Sequence, residues 1–159
     1  MDTLYIETSI VSYATAWPST NLQIAAIQEQ ARDWWSVERP KFELVTSQLT
    51  LDEATAGDPV AASERLKLLE GLPIMPITSD AELLANQILS GHMMPQKAAA
   101  DALHVALAAL ARVDYLLTLN CKHIANAHEL PRVYRLLASE GLSGLLICTP
   151  AEFLGGTFP

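Results

Sequence analysis

Short apolar runs bounded by turn-forming residues alternate along this chain with longer segments whose apolar residues recur at helical spacing. Parallel strands need long crossover segments, usually helices, between them, and such an alternation is typical of parallel sheets. It predicts an α/β fold, a three-layer sandwich in which helices cover both faces of a central, mostly parallel five-stranded sheet. The predicted strands are residues 3–6, 42–46, 74–77, 115–119 and 145–148.

Helix starts are indicated where Ser or Thr is followed three residues later by Glu or Gln, the arrangement of a capping box. Apolar periodicity predicts further helices at residues 49–55, 60–70, 96–112 and 129–140. The predicted capping boxes are Thr20 with Gln23, Ser79 with Glu82, and Thr149 with Glu152, where Pro150 would take the first helical position.

Length and charge limit the class of protein. The chain has 159 residues, enough for one substantial hydrophobic core and too few for two, so we expect residues 1–159 to form one domain. A net charge of -8 argues against a non-specific nucleic-acid coat, because such a coat needs basic surface to displace counterions from phosphates. The charge does not exclude an enzyme with a local acidic cleft.

Cysteine usage and hydropathy favour a cytoplasmic protein. Cys121 and Cys148 lack the spacing of metal ligands and are expected to be small buried residues in a reducing compartment. No basic residue precedes Arg32, whereas a secretory signal begins with basic residues. The most apolar stretch, residues 98–119, is interrupted by charged residues and a histidine, which argues against a membrane span.

Polar residues follow three of the predicted strands. In open α/β sheets ligands bind beyond the carboxyl ends of the strands, where loops and helix starts converge. Glu7 follows the first strand in LYIETS, and Asn120 follows the fourth in DYLLTLN. Glu53 lies shortly after the second strand in VTSQLTLDEA. These side chains are therefore candidates for one shared site.

Each of these residues also has an ordinary structural explanation. Glu53 could complete a capping box with the threonine three residues earlier. Glu7 could be the polar end of a strand, with Thr8 or Ser9 capping the helix that follows. Asn120 could be a turn residue, because Asn side chains bond to nearby backbone groups. The sequence alone leaves both explanations open.

Asp101 stands in KAAADALHVALAAL, a segment whose other residues are typical of a buried helix. A helix that starts near Pro95 would place Asp101 too deep to cap it or to gain much from its dipole. Lys97 could pair with Asp101, but an exposed pair of this kind contributes only about 0.3–0.5 kcal/mol. Because an unpaired buried carboxylate is costly, a functional role is favoured. His104 is interpreted as a hydrogen-bonded packing residue rather than a ligand.

Three carboxylates and one carboxamide at strand ends and helix starts predict an acidic cleft. Hard oxygen ligands, without Cys or a His pair, suit Mg²⁺ or Mn²⁺ rather than zinc. Such ions usually serve phosphate chemistry, because they neutralise phosphate charge and lower the pKa of a bound water. The chain contains no Gly-rich phosphate loop, so nucleotide binding of the kinase or Rossmann type is not supported.

The segments YIETSIVSY, SQLTLDEA, AAADALHVALA and YLLTLNCKHIANA occur in this order on the predicted strands and helices. Their order, spacing and placement resemble the PIN-domain nucleases, in particular the VapC-type toxins of bacterial toxin–antitoxin pairs. The resemblance implies a parallel α/β sandwich and a Mg²⁺- or Mn²⁺-dependent endoribonuclease that hydrolyses RNA phosphodiester bonds. It also implies a homodimer that a cognate antitoxin protein holds inactive.

The resemblance assigns the catalytic and metal-binding positions to Glu7, Glu53, Asp101 and Asn120. The first of these positions is usually Asp, and Glu7 is one methylene longer. The fourth is also usually Asp, and Asn120 keeps one oxygen ligand but loses the charge.

Residues next to these positions are expected to contact the substrate. Thr8, Ser9 and Thr118 match small hydroxyl residues that orient a metal-bound water or a phosphate. Lys122 and His123, in NCKHIANA, are expected to meet the RNA backbone. Asn126 is a weaker candidate in the same segment.

Two other functions compete with a nuclease. The departures at Glu7 and Asn120 also fit a catalytically weak PIN-like domain that binds RNA or a protein partner. A phospho-acceptor receiver domain also collects acids at strand ends. It needs an acidic pair at the first strand and a later Lys at a strand end, and no such arrangement occurs in the sequence.

Residues 21–35 are a candidate surface for self-association. Leu22, Ala25, Ala26 and either Trp34 or Trp35 recur there at helical spacing. Paired Trp residues near a helix end frequently anchor interfaces. Packing of both rings in the core explains the same pattern equally well.

Overall fold

A parallel five-stranded sheet forms the centre of the protein, for which a computed structural model describes residues 1–155. The strand order is β3-β2-β1-β4-β5, and all four strand pairs are parallel. The predicted α/β fold with a central five-stranded sheet is confirmed. The strands are β1 (Thr3–Ile6), β2 (Glu43–Ser47), β3 (Ile74–Met75), β4 (Tyr115–Leu117) and β5 (Leu146–Cys148).

The boundaries of β1 agree with the predicted ones, and those of the other four strands differ by one or two residues. β2 begins and ends one residue later than predicted. β3 ends at Met75 rather than at Ile77, because Pro76 has no N–H group with which to continue the ladder. β4 ends two residues early, and β5 begins one residue late.

Helices connect the strands. The segments predicted at 49–55, 60–70 and 129–140 agree with the structure to within one residue at each end. Within the described residues 1–155, no helix is long and apolar enough to cross a membrane. The helices are α1 (Thr8–Thr15), α2 (Leu22–Asp33), α3 (Gln48–Thr55), α4 (Pro59–Leu69), α5 (Ser79–Ser90), α6 (Ala99–Leu110), α7 (Leu130–Ser139) and α8 (Pro150–Phe153).

Each face of the sheet carries its own hydrophobic core, because successive strand residues point to opposite faces. Leu4, Ile6 and Leu117 belong to the core that α1, α3 and α4 cover. Tyr5 and Leu116 belong to the core that α5, α6 and α7 cover. Helices on both faces of one sheet make the predicted three layers.

The strand order reverses next to β1, and this reversal positions the candidate site. The chain runs from β1 outward through β2 to β3, and then crosses to β4 on the other side of β1. In open parallel sheets, ligands bind outside the carboxyl ends of the strands at such a point. Glu7 directly follows β1 there, and Thr118 directly follows β4.

One of the three predicted capping boxes is confirmed. Thr149 and Glu152 exchange hydrogen bonds at the start of α8, and Pro150 takes the first helical position, as predicted. The backbone N–H of Thr149 donates to Glu152 Oε2 at 2.8 Å.

The other two capping residues lie one position away from the predicted ones. Asn21 caps α2 instead of Thr20, because its side-chain oxygen accepts bonds from two backbone N–H groups of the first turn. Thr78 caps α5 instead of Ser79, because its extended backbone directs the hydroxyl to an N–H of that helix.

The expectation that both cysteines are buried holds for Cys148 but is wrong for Cys121. Cys148 is buried at the end of β5, and burial raises the pKa of its thiol to about 12. Cys121 is exposed instead, because it lies in the turn that follows β4 rather than in the sheet.

Trp34 is a core residue, so of the two explanations that the sequence left open for this ring, packing in the core is the right one. Where α2 ends, the chain continues into a π-helical turn, Trp34–Glu38, which directs Trp34 inward. The side chain is completely buried. Its ring stacks on Phe42 with the centroids 6.0 Å apart and meets Phe153 edge-on at 6.3 Å. Trp35 is half-buried beside it.

Candidate active site

Glu7 joins β1 to α1 and is almost completely buried, with 4% of its surface exposed. Its Oε2 accepts a hydrogen bond from the backbone N–H of Ser9 at 2.9 Å and thereby caps α1. The hydroxyl groups of Ser9 and Thr118 donate to the same oxygen, the latter at 3.0 Å. The alternative explanation, in which Thr8 or Ser9 caps α1, is therefore wrong, since Glu7 supplies the capping oxygen.

Glu53 lies near the end of α3 and links three helices. Its Oε1 accepts hydrogen bonds from Thr8 Oγ1 on α1 and from His104 Nε2 on α6, both at 2.6 Å. Ser47 caps α3 by accepting a bond from the backbone N–H of Thr50. The explanation of Glu53 as part of a capping box is therefore wrong.

The surroundings of Glu53 favour its ionised form. Burial by itself would raise the pKa of this carboxyl. The hydrogen bonds from His104 and from the hydroxyl of Thr8 outweigh burial and hold the pKa of Glu53 below its usual value of 4.5. The side chain is still 34% exposed, so Glu53 is a carboxylate at neutral pH that solvent can reach.

His104 is completely buried and uses both ring nitrogens. Nε2 contacts Glu53, and Nδ1 lies 2.8 Å from the hydroxyl of Tyr5 on β1. The Tyr5 hydroxyl lies 2.6 Å from Ser47 Oγ. The interpretation of His104 as a hydrogen-bonded packing residue agrees with these contacts. Tyr5 is a residue that the sequence reasoning missed, although a hydroxyl in a buried strand signals a need for a polar partner.

Asp101 lies in the first turn of α6, because the α-helix begins only after a 3₁₀ turn at Gln96–Ala98. The deeper position predicted from a helix starting near Pro95 is therefore wrong, and the helix dipole favours the Asp101 charge. Asp101 Oδ2 lies 2.8 Å from Nδ1 of His123. In the described residues the hydrogen-bond partner of Asp101 is therefore His123, and not Lys97, whose pairing with Asp101 the sequence left as the less favoured alternative.

Asn120 is built into the turn that follows β4. Its Oδ1 accepts a hydrogen bond from the backbone N–H of His123 at 3.0 Å, and its own N–H donates to Thr118 Oγ1 at 3.0 Å. Its carbonyl oxygen accepts two further backbone N–H groups of the same turn. These are the contacts of a turn residue, the explanation that the sequence left open. Through His123 this turn is connected to Asp101.

The hydroxyl groups predicted to orient water or phosphate contact the carboxylates instead. Thr8 bonds to Glu53, whereas Ser9 and Thr118 bond to Glu7. Ser9 Oγ also accepts the backbone N–H that follows Thr118, at 2.8 Å. These three residues therefore fix the positions of two acids and tie α1 to the end of β4.

The predicted RNA contacts differ in how accessible they are. Lys122 is exposed beside the Asn120 turn. The His123 side chain is 16% exposed because it packs against Asp101. Asn126 bonds at both ends of its amide to backbone groups of its own loop. Asn126 is therefore the poorest of the three as an RNA contact.

The carboxylate oxygens of the candidate site are of the type that binds a divalent cation. Glu7, Glu53 and Asp101 each use one carboxylate oxygen in hydrogen bonds, and no bond among residues 1–155 reaches the second oxygen. Mg²⁺ and Mn²⁺ prefer such hard oxygen ligands. In that same part of the chain, however, no three His, Cys, Asp or Glu side chains are grouped closely enough to hold an ion. The three carboxylates are therefore of the chemical type that binds Mg²⁺ or Mn²⁺, but in the described residues their side chains do not form a complete coordination shell.

A cavity of about 650 Å³ opens between α3 and α4, away from these acids. Leu51, Leu66 and Ile74 are among the residues that line it. None of the candidate site residues contributes to its wall. Its position therefore does not locate a substrate for the acidic site.

A family model described as PIN domain matches residues 4–129, which is most of the chain. The chain belongs to the PIN domain family. The matched part of this PIN domain contains Glu7, Glu53, Asp101 and Asn120. No curated protein sequence matches the chain.

Solved structures share the fold of this PIN domain. VapC20 of Mycobacterium tuberculosis, a sarcin–ricin loop cleaving toxin, is 17% identical with a TM-score of 0.59, over 78% of this chain and 95% of that chain. VapBC2 of Rickettsia felis, bound to a DNA fragment from their promoter, is 14% identical with a TM-score of 0.51, over 92% and 98%. VapBC-5 of Mycobacterium tuberculosis, a toxin–antitoxin member, is 16% identical with a TM-score of 0.50, over 94% and 99%. At these identities the likeness concerns the fold.

Proposed function

We propose that this PIN domain, formed by residues 1–159, is a Mg²⁺- or Mn²⁺-dependent endoribonuclease of the VapC toxin type. The observation that carries the proposal is the placement of three acids around the reversal of strand order, the place where such sheets bind ligands. Glu7 directly follows β1, Glu53 contacts Thr8 after β1, and Asp101 contacts His123 after β4. The shared fold with a toxin described as cleaving the sarcin–ricin loop supports RNA as the substrate.

Glu7, Glu53 and Asp101 would hold the metal, and Asn120 would add a neutral oxygen ligand. A bound divalent ion neutralises phosphate charge and lowers the pKa of a water that attacks phosphorus. The hydroxyl groups around Glu7 and Glu53 keep one oxygen of each acid occupied, so that the other oxygen remains available.

The RNA backbone would meet the protein at the turn after β4. Lys122 is exposed there, on a protein whose net charge is -8. A local cation beside the acids offers a contact for a phosphate, while the surrounding negative charge opposes unspecific binding. We assign Lys122 and His123 to substrate binding, and Thr8, Ser9 and Thr118 to the support of the acids.

A protein partner is the second part of the proposal. Two structures with this fold are described as VapBC toxin–antitoxin proteins, which supports a cognate antitoxin. Large apolar side chains are exposed, with Trp17 at 92%, Leu22 at 86% and Val60 at 71%. Such surface favours a partner, either an antitoxin or a second copy in a homodimer. We expect the complex to act in the cytoplasm.

The nuclease proposal is tested by incubating purified protein with RNA in Mn²⁺, in Mg²⁺ or in EDTA. Cleavage that requires the metal and disappears in Asp101→Asn is the expected result. Cleavage that persists in EDTA, or equal cleavage by the variant, would reveal a contaminating nuclease or a different site.

A catalytically weak PIN domain that binds RNA or a protein is the second candidate. It is favoured by the use of the Asn120 oxygen in a turn and by the incomplete grouping of acids in the described residues. RNA binding of equal strength in Mn²⁺ and in EDTA, without cleavage in either, would select this candidate.

A further inference from the structure

Four buried or half-buried side chains form one continuous series of hydrogen bonds that begins at the N-cap of α3 and ends within that helix. Ser47 caps α3 and contacts the Tyr5 hydroxyl at 2.6 Å. Tyr5, on β1, contacts His104 Nδ1 at 2.8 Å. His104, on α6, contacts Glu53 of α3 at 2.6 Å. These hydrogen bonds therefore fix the start of α3 and the side chain of Glu53 relative to both β1 and α6.

The chemistry of the groups determines the direction of these bonds. An ionised carboxylate can only accept hydrogen bonds, so His104 Nε2 carries the proton that Glu53 Oε1 receives. Burial raises the pKa of Tyr5 well above its usual value, so its hydroxyl keeps its proton and can donate to Nδ1. The Ser47 hydroxyl can then donate to the Tyr5 oxygen while accepting the N–H of Thr50.

The His104 ring has little freedom to move. It is completely buried, both nitrogens have partners, and its edge packs against Tyr5 with the centroids 5.9 Å apart at 71°. Glu53, in contrast, is partly exposed, and an unrestrained Glu side chain would sample several rotamers. Because His104 and Thr8 both bond to Oε1, they restrict the carboxylate from two sides.

We infer that His104 is a positioning residue that holds Glu53 by Oε1, so that Oε2 is the oxygen presented to a divalent ion, with Tyr5 and Ser47 fixing the ring. The inference rests on the proposed function, because it gives Glu53 a ligand role. Histidines and carboxylates that support metal ligands in this manner typically change metal affinity or activity about 10- to 100-fold when they are replaced.

A set of variants separates positioning from packing. His104→Leu removes the Nε2 donor and keeps an apolar side chain of similar size, whereas His104→Gln keeps an N–H group that can reach Glu53. Tyr5→Phe frees Nδ1 without touching the bond to Glu53. Leu107→Ala is the matched control, since Leu107 is buried one turn later on α6 in the same core.

Calorimetric titration with Mn²⁺ and RNA cleavage are measured for each variant, with melting temperatures in metal-free buffer. We expect His104→Leu to weaken Mn²⁺ binding about 10- to 100-fold. Tyr5→Phe should weaken it about two- to tenfold, as for one lost hydrogen bond. His104→Gln should restore most of the affinity. Leu107→Ala should lower the melting temperature and leave the affinity unchanged.

The outcomes distinguish this inference from the nuclease proposal. Wild-type protein that neither binds Mn²⁺ nor cleaves RNA would overturn the proposed function and the ligand role of Glu53 with it. Wild-type protein that does both, with His104→Leu equal to the Leu107→Ala control, would overturn the positioning role alone. The imidazole ¹⁵N spectrum of the metal-free protein is a direct check, because an unprotonated Nε2 on His104 would contradict the inference.

Discussion

The two sides of the candidate site are held in different ways. On one side, which we call the buried side, Glu7 and Glu53 receive hydrogen bonds from residues at element ends and inside helices. Glu7 is only 4% exposed, and Glu53, although its side chain is 34% exposed, is held by the fully buried His104. On the other side, the turn side, Asp101 is held by His123, and both side chains reach solvent, at 21% and 16%.

The way in which the acids are held predicts a rigid buried side and an adaptable turn side. The buried side draws its donors from α1, from α6 and from the buried Thr118 at the end of β4. The turn side depends on His123 and Asn120, which follow β4 in a segment without regular structure. Loops with exposed hydrogen bonds open at lower free energy than packed elements. We therefore expect the buried side to set the site and the turn side to adapt to ligands.

Replacing the Asp101 charge should have the largest effect on activity. Asp101→Asn keeps an oxygen for His123 but removes one negative ligand, so we expect RNA cleavage to fall at least about a hundredfold. The fold should remain intact, with an equal or slightly lower melting temperature, because the helix dipole and His123 favour the charge that is removed. Cleavage at the parental rate, or failure to fold, would make Asp101 a structural residue.

Removing Glu7 should destabilise the protein more than removing Asp101 does. Glu7→Ala leaves three donors without their acceptor and takes away the α1 cap, so the free energy of unfolding should fall by about 2–4 kcal/mol. Asp101→Ala should lower it by less than about 1 kcal/mol, as for a partly exposed pair. Urea unfolding measures both, and equal losses would contradict the distinction between the two sides.

The contribution of Glu53 to stability should depend on pH. The pKa of Glu53 is lower in the folded protein than its usual 4.5, so the ionised form stabilises the fold. This stabilisation is complete above the unfolded-state pKa and is lost as the pH falls through the lower folded-state pKa. The difference in melting temperature between wild type and Glu53→Gln should therefore shrink below about pH 4.5. A difference that stays constant from pH 7 to about pH 3 would show that His104 and Thr8 do not favour the charge.

Asn120→Asp should have the smallest effect, and it tests whether the turn side contributes a ligand. The variant keeps the oxygen that accepts the N–H of His123 and adds a negative charge. Because cation affinity rises with ligand charge, half-maximal cleavage should need less Mn²⁺, by about two- to tenfold. Equal metal requirements would mean that Asn120 serves only the turn.

The fold and the main acids could be predicted because their signals are local. Alternating apolar runs determine the elements, and Glu7 follows a strand whose end is visible in the sequence. The start of α6 was misplaced, since a 3₁₀ turn and an α-helical turn have similar apolar spacing. Trp34 shows the same limit, because helical periodicity does not distinguish a core ring from an interface ring.

The partners of the acids could not be predicted because they come from distant parts of the chain. Thr8 and Glu53 are 45 residues apart, and Glu53 and His104 are 51 residues apart. Which hydroxyl meets which carboxylate depends on helix placement to within an ångström or so. The sequence therefore indicated which residues have the right chemistry, and the structure assigned their contacts.

The proposed function requires the buried side and the turn side to contribute ligands to one metal site. Calorimetric Mn²⁺ titration of wild type, Glu53→Gln and Asp101→Asn tests it most directly, because one variant comes from each side. We expect wild type to bind Mn²⁺, and both variants to bind it at least about tenfold more weakly. Wild-type protein without Mn²⁺ binding, or a loss confined to one of the two variants, would contradict the claim.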